Sequence, residues 1–165
     1  MCHFPIDNYL FIQQVIYNKF LYFLKKKGII LANHLLYNKR LKMMGKNVLV
    51  IEDEPIIAEM ISIILEIQGL SVISLTDTSR ARDKLHNKEV NLVLLDLNLR
   101  GEDGQSFCDY IKGQDDLKDI PVILVSANMD IELVKEQCHA DDVIRKPFNI
   151  DYFMEKVSHY VKTLA

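Results

Sequence analysis

Asn47-Val48-Leu49-Val50-Ile51, followed at once by Glu52-Asp53-Glu54-Pro55, is the stretch from which the rest of the chain can be read. Val48 to Ile51 are apolar without a break and mostly β-branched. A strand with no polar alternation is covered on both faces, the pattern of a parallel sheet. Pro55 suits the first turn of a helix. Ile57, Ile61, Ile64, Leu65 and Gln68 then recur at helical spacing, and Gly69 closes the element.

Working outward, the same strand-then-helix unit repeats. Ser71–Leu75 reads as a second strand, followed by a polar helix around Ser79–Asn87 with Ala81 and Leu85 on its inner face. Asn91–Asp96 is a third, buried strand. Gly101 and Gly104 punctuate the loop after it, and Gln105–Lys112 makes a short helix. Pro121–Ser126 is a fourth strand, and Asp130–Cys138 a helix with a thin apolar face of Ile131, Val134 and Cys138. Asp142–Arg145 leaves room for a brief fifth strand. The last helix begins near Asn149, with Ile150, Phe153, Val157, Val161 and Leu164 turned inward. This (βα)5 pattern predicts an α/β fold: a doubly wound parallel sheet, flavodoxin-like, of strand order 2-1-3-4-5.

Composition bounds the rest. At 165 residues and 19.1 kDa the chain suits one domain of ordinary size and is too short for two full ones. Apolar residues at 49% and charged residues at 26% argue against a wholly disordered chain. The net charge of -3 hides a split. Residues 1–44 hold six Lys and Arg40 against Asp7, a net of +6, whereas residues 45–165 hold 13 basic and 22 acidic side chains, a net of -9. Eight of the fourteen Phe and Tyr residues also lie in that first segment, so two compositions meet near Met43–Lys46. The expected organisation is an N-terminal extension, 1–44, and a domain, 45–165.

Cys2, Cys108 and Cys138 form no CxxC, so neither a zinc site nor a disulfide framework is read, and reduced thiols in a cytoplasmic protein are expected. A transmembrane helix needs roughly 20 mainly apolar residues. Tyr9–Leu24 is interrupted by Gln13, Gln14, Asn18 and Lys19, and no basic segment precedes it as in a secretory signal.

In an open parallel sheet, ligands sit beyond the carboxyl ends of the strands. The residues there are Glu52 and Asp53, Asp96, Ser126 and Lys146. Three carboxylates drawn together repel; one pair at 4 Å costs about 4 kcal/mol at an effective dielectric near 20. Such a cluster calls for a cation, and hard oxygen donors with room for water favour Mg²⁺. Lys146 adds a second positive charge and Ser126 a hydroxyl that can donate to an anionic oxygen. A carboxylate, a divalent metal, a lysine and a hydroxyl together suit uptake of a phosphoryl group. Asp96, on the central strand, is the expected nucleophile, with Glu52 and Asp53 as metal ligands.

These residues carry a resemblance. From Asn47 to about Leu164 the chain resembles a response-regulator receiver domain of the CheY-like kind. The matching pieces are Glu52-Asp53-Glu54, Asp96 with Gly104 eight residues on, Val125-Ser126-Ala127, and Lys146-Pro147-Phe148. The resemblance implies phosphorylation of Asp96 by a histidine kinase or a histidine phosphotransfer protein in a two-component or phosphorelay system. It also implies a metal ligand from the Asn98 carbonyl and a cis peptide before Pro147. Asn98 and Asn128 occupy the two positions that tune the lifetime of the aspartyl phosphate; both are neutral and polar, which suggests an intermediate lifetime. Such a protein is not an enzyme in the ordinary sense, since it catalyses only its own phosphorylation and dephosphorylation.

Several positions depart from the family pattern. Val143 stands where receivers usually carry an aromatic switch residue, working with the hydroxyl of Ser126. Arg100 stands where the loop often has Pro, its guanidinium directed to the site or to water. His139 replaces the usual Gly before Ala140. Two other readings therefore stay open: a phosphorylation-independent interaction module with a degenerate switch, and a membrane-tethered adaptor acting through residues 1–44. In that segment Tyr9–Leu24 reads either as an amphipathic helix followed by Lys25-Lys26-Lys27 or as upstream sequence without a role, with Met43-Met44 as a natural start. Arg80, Arg82 and Lys84 read as one solvated helix face, and the net acidic domain argues against nucleic acid as a partner. His86, His139 and His159 show no ligand spacing. The last helix is expected to use up the chain, which leaves a stand-alone receiver that docks on an unnamed protein target.

Overall fold

The computed structural model describes residues 46–87, 90–101 and 103–163. The backbone divides into two units, Met1–Asn38 and Lys39–Ala165, and the described residues lie in the second. The readings of Tyr9–Leu24, Lys25–Lys27, Met43-Met44 and Leu164 fall outside the described residues.

Among the described residues, five strands alternate with five helices: β1 (Asn47–Ile51), α1 (Pro55–Ile67), β2 (Ser71–Leu75), α2 (Ala81–His86), β3 (Leu92–Leu95), α3 (Gly104–Gly113), β4 (Val122–Ser126), α4 (Ile131–Cys138), β5 (Asp142–Arg145) and α5 (Ile150–Thr163). The strands form one parallel sheet in the order β2-β1-β3-β4-β5, as the sequence predicts. β1 and β3 sit inside, and Val48–Ile51 and Leu92–Leu95 are buried throughout. β2 lies at one edge, with Ser71 and Ser74 exposed. No described helix is long and apolar enough to cross a membrane.

Side chains alternate across the sheet. Leu49, Ile51, Val93, Leu95, Leu124 and Val143 share a core with Leu85 of α2, Phe107 and Ile111 of α3, and Ile131 and Cys138 of α4. The intervening residues Val50, Leu94, Val125 and Ile144 are also buried, as are Ile61 and Leu65 of α1 and Phe153 and Val157 of α5. Right-handed connections place α1 and α5 on that second face.

Local chemistry shifts several boundaries. The second helix begins at Ala81 rather than Ser79, because Ser79 N–H donates to Asp77 Oδ1 at 2.9 Å and Ala81 N–H to the Thr78 carbonyl at 3.2 Å, a turn that uses up residues 77–80. β4 begins at Val122, since Pro121 has no N–H to contribute, although its carbonyl still accepts from Val93 at 2.9 Å. The inward face of α1 is Ala58, Ile61, Ile64 and Leu65, with Ile57 only half-buried. α5 starts one residue after Asn149, whose Oδ1 accepts from Tyr152 N–H at 2.7 Å as an N-cap. His139 holds the left-handed turn after α4, at φ 56°.

Candidate functional site

The strand order brings the predicted residues to one edge. Glu52 and Asp53 follow β1, and Glu52 N–H bonds to the Leu75 carbonyl at 3.1 Å, which fixes the first acid against β2. Asp96 leaves β3 with its N–H on the Ile51 carbonyl at 3.0 Å, so the second acidic position is clamped to the first strand. Ser126 ends β4, fully buried, and accepts at its carbonyl from Lys146 N–H at 2.9 Å. Four strands thus supply five side chains to one rim.

Lys146 is the hub. Its Nζ lies 2.5 Å from Glu52 Oε2 and 2.6 Å from Asp96 Oδ2. Glu52 is almost fully buried, and burial pushes its carboxyl up to about 7 against the pull of the Lys146 ammonium. Burial also disfavours the charge on Lys146, but Glu52 and Asp96 together outweigh it, and the ammonium is held more firmly than usual. The other Asp96 oxygen, Oδ1, accepts from Asn98 N–H at 3.0 Å. The Lys146–Pro147 peptide is cis.

Glu52, Asp53 and Asp96 each offer an oxygen within 4.8 Å of the others. Mg²⁺ binds oxygen at about 2.0–2.1 Å, so two direct ligands of one ion lie at most about 4.2 Å apart. Adjacent ligands of an octahedral ion stand only about 2.9 Å apart, so oxygens spread within 4.8 Å suit such an ion once the carboxylates draw together or some of them contact it through water. An all-oxygen donor set of this size suits a hard divalent cation.

Gly104 explains its own place in the motif. A Cβ there would stand 2.3 Å from the Asp96 carbonyl oxygen and 2.7 Å from Leu97 Cα, so the start of α3 packs directly on the backbone of the central acid. Val143 is buried in the core beneath the rim. Asn98 is exposed; Asn128 is half-buried, and its N–H donates to Ser126 Oγ at 3.3 Å while its Oδ1 accepts from Asp130 N–H at 2.9 Å.

A family model of the response regulator receiver domain matches residues 48–158. The chain belongs to that family. Among relatives, this receiver domain is similar to the phosphate regulon transcriptional regulatory protein PhoB of Escherichia coli, with 30% identity over 124 residues, covering 74% of this chain and 54% of PhoB. The chain thus spans about half the length of the curated relatives it matches. It also resembles the signal receiver domain of a signal transduction histidine kinase from Syntrophus aciditrophicus (29% identity, TM-score 0.66, 72% of this chain and 91% of that one). A third likeness is to the receiver domain of sensor histidine kinase PA1611 from Pseudomonas aeruginosa PAO1, solved with a magnesium ion coordinated in its active site cleft (25% identity, TM-score 0.65, 72% of this chain and 98% of that one).

One alternative left open by the sequence resolves, and two further contacts of the receiver domain lie beyond the sequence reading. Arg100 turns to the site: its Nε is 3.1 Å from Asp53 Oδ2. Arg145, next to the hub lysine, donates from Nη1 to the Met129 carbonyl at 2.9 Å and so ties β5 to the loop after Ser126. Cys108 and Cys138, thirty residues apart, meet in the core, where the Cys108 thiol lies 3.4 Å from the Cys138 carbonyl oxygen. Its hydrogen bond with the Cys138 thiol, and burial, push Cys108 far above the usual thiol range. Loop direction and contact between distant helices leave no local periodic signal; for Arg100 the unusual residue type was the only hint.

Proposed function

We propose that the domain takes a phosphoryl group onto Asp96 from a histidine kinase or histidine phosphotransfer protein and thereby switches its docking on another protein. The observation that carries this reading is Lys146 Nζ bridging Glu52 and Asp96 beside Asp53. An Asp96 oxygen attacks phosphorus in line, an O–P bond forms, and the donor's P–N bond breaks as its imidazole leaves. Lys146 stays at the rim through its bond to Glu52 and offers charge to the phosphoryl oxygens. Ser126 Oγ accepts from Asn128, which leaves its own O–H free to donate to a phosphoryl oxygen as the loop moves inward. Glu52, Asp53, Asp96 and the Asn98 carbonyl are suited to hold Mg²⁺, which when bound would neutralise charge on the transferring group. The domain turns over no other substrate. Asn98 and Asn128, near the acceptor and uncharged, suit an aspartyl phosphate of intermediate lifetime.

The test is incubation with a small phosphoryl donor such as acetyl phosphate and Mg²⁺, read on a phosphate-retarding gel. The parent should shift, while Asp96→Asn should stay unshifted yet fold. A buried Val143 without an aromatic ring favours a second reading, an interaction module that works without phosphorylation. A parent that takes up no phosphate under any Mg²⁺ concentration would support that one instead.

A further inference from the structure

Three carboxylates at the rim face two cations of unlike freedom. Lys146 has a side chain 16% exposed and is tied to both Glu52 and Asp96. Arg100 has a side chain 82% exposed and, among the described residues, pairs with Asp53, through one nitrogen at 3.1 Å. The buried lysine cannot leave without stranding two buried carboxylates, whereas the arginine can return to water at little cost. Asp53 is also the least buried of the three acids, so an ion from solvent meets it first. Its Oδ2 is the oxygen the guanidinium already holds.

From this we infer that Arg100 is a displaceable counter-ion that sets the affinity of the acidic cluster for a divalent cation. It neutralises Asp53 in the resting domain and must swing out before the ion settles. Arg100 is a positioning residue in this role, and the inference rests on the metal-site reading above. Exposed ion pairs of this kind are weak, so removing the competitor should tighten binding by about two- to fivefold rather than by orders of magnitude. The contest should also fade as salt screens the pair.

The experiment titrates the full chain with Mg²⁺ alone at low ionic strength, following amide shifts in ¹H–¹⁵N NMR spectra, with the spectra also serving as the check on folding. Arg100→Gln should bind Mg²⁺ about two- to fivefold more tightly than the parent. Lys118→Gln removes the same charge from the loop after α3, at the opposite end of the sheet, where Lys118 pairs with Asp115. It should leave the affinity unchanged. Equal or weaker binding by Arg100→Gln overturns the inference, as does equal tightening by Lys118→Gln, which would reduce the effect to net charge. Absence of Mg²⁺ shifts in every variant, the parent included, overturns the metal site itself and this inference with it.

Discussion

Replacing Gly104 by Ala should destabilise the domain, although it adds only one methyl group. The new Cβ would lie 2.3 Å from the Asp96 carbonyl oxygen, whereas ordinary contact begins near 3.4 Å, so two backbone segments must part by about 1 Å. Parting them also strains the bond from Gly104 N–H to the Leu97 carbonyl, 3.1 Å long. Overpacking of this kind costs about 1–3 kcal/mol and a weakened hydrogen bond about 1 kcal/mol more. Better helix propensity returns about 0.5–1 kcal/mol. The net loss is about 1–3.5 kcal/mol, or a Tm lower by roughly 3–17 °C for a domain of this size. Gly113 ends the same helix with nothing within 4 Å of its would-be Cβ, so Gly113→Ala should be neutral or stabilising by up to about 1 kcal/mol. Urea unfolding followed by far-UV circular dichroism compares the two. A Gly104→Ala stability within about 0.5 kcal/mol of the parent, or an equal loss in Gly113→Ala, would refute the packing argument.

Other outcomes follow from individual contacts. Lys112 is nearly buried and its Nζ meets Asp141 at 2.6 Å and the Ile120 and Lys118 carbonyls at 2.9 and 3.1 Å, so Lys112→Met should lose about 2–3 kcal/mol in the same urea assay. His139→Gly relieves a left-handed non-glycine residue at φ 56° and should stabilise by about 1 kcal/mol, read as a raised Tm. Asn149→Ala removes the cap on Tyr152 N–H and should cost about 1 kcal/mol in thermal unfolding. Cys108 and Cys138 are fully buried, so in a Cys2→Ser background a thiol reagent should modify them only at the rate of unfolding.

The architecture could be read in advance because parallel strands covered on both faces leave continuous apolar runs, and because the strand ends must then converge. Asp96 is a clear case: four buried apolar residues precede it, and no other arrangement puts its carboxylate beyond the sheet. α1 resisted the same treatment in part. Helical spacing placed Ile61, Ile64 and Leu65 inside, but with Ile56, Ile57 and Ala58 consecutive it could not fix the edge of that face, and packing set Ala58 inside while Ile57 is half-buried and Ile56 stays 57% exposed. The start of α2 was lost to an aspartate turn, a side-chain bond that competes with the helix. The grip of Arg100 on Asp53 depends on loop direction, which no spacing encodes.

Lys146 joins places far apart in the chain: its ammonium spans 94 residues to Glu52 and 50 to Asp96, while its amide holds the end of β4. Contacts of such separation carry a large loop-closure penalty and tend to form late. A molecule whose fifth strand has frayed would keep Asp96 at the end of β3 yet lose the ammonium beside it. Under the proposed function, the ability to take up a phosphoryl group is thereby tied to completion of the tertiary structure, a quality check that needs no chaperone or protease to enforce it.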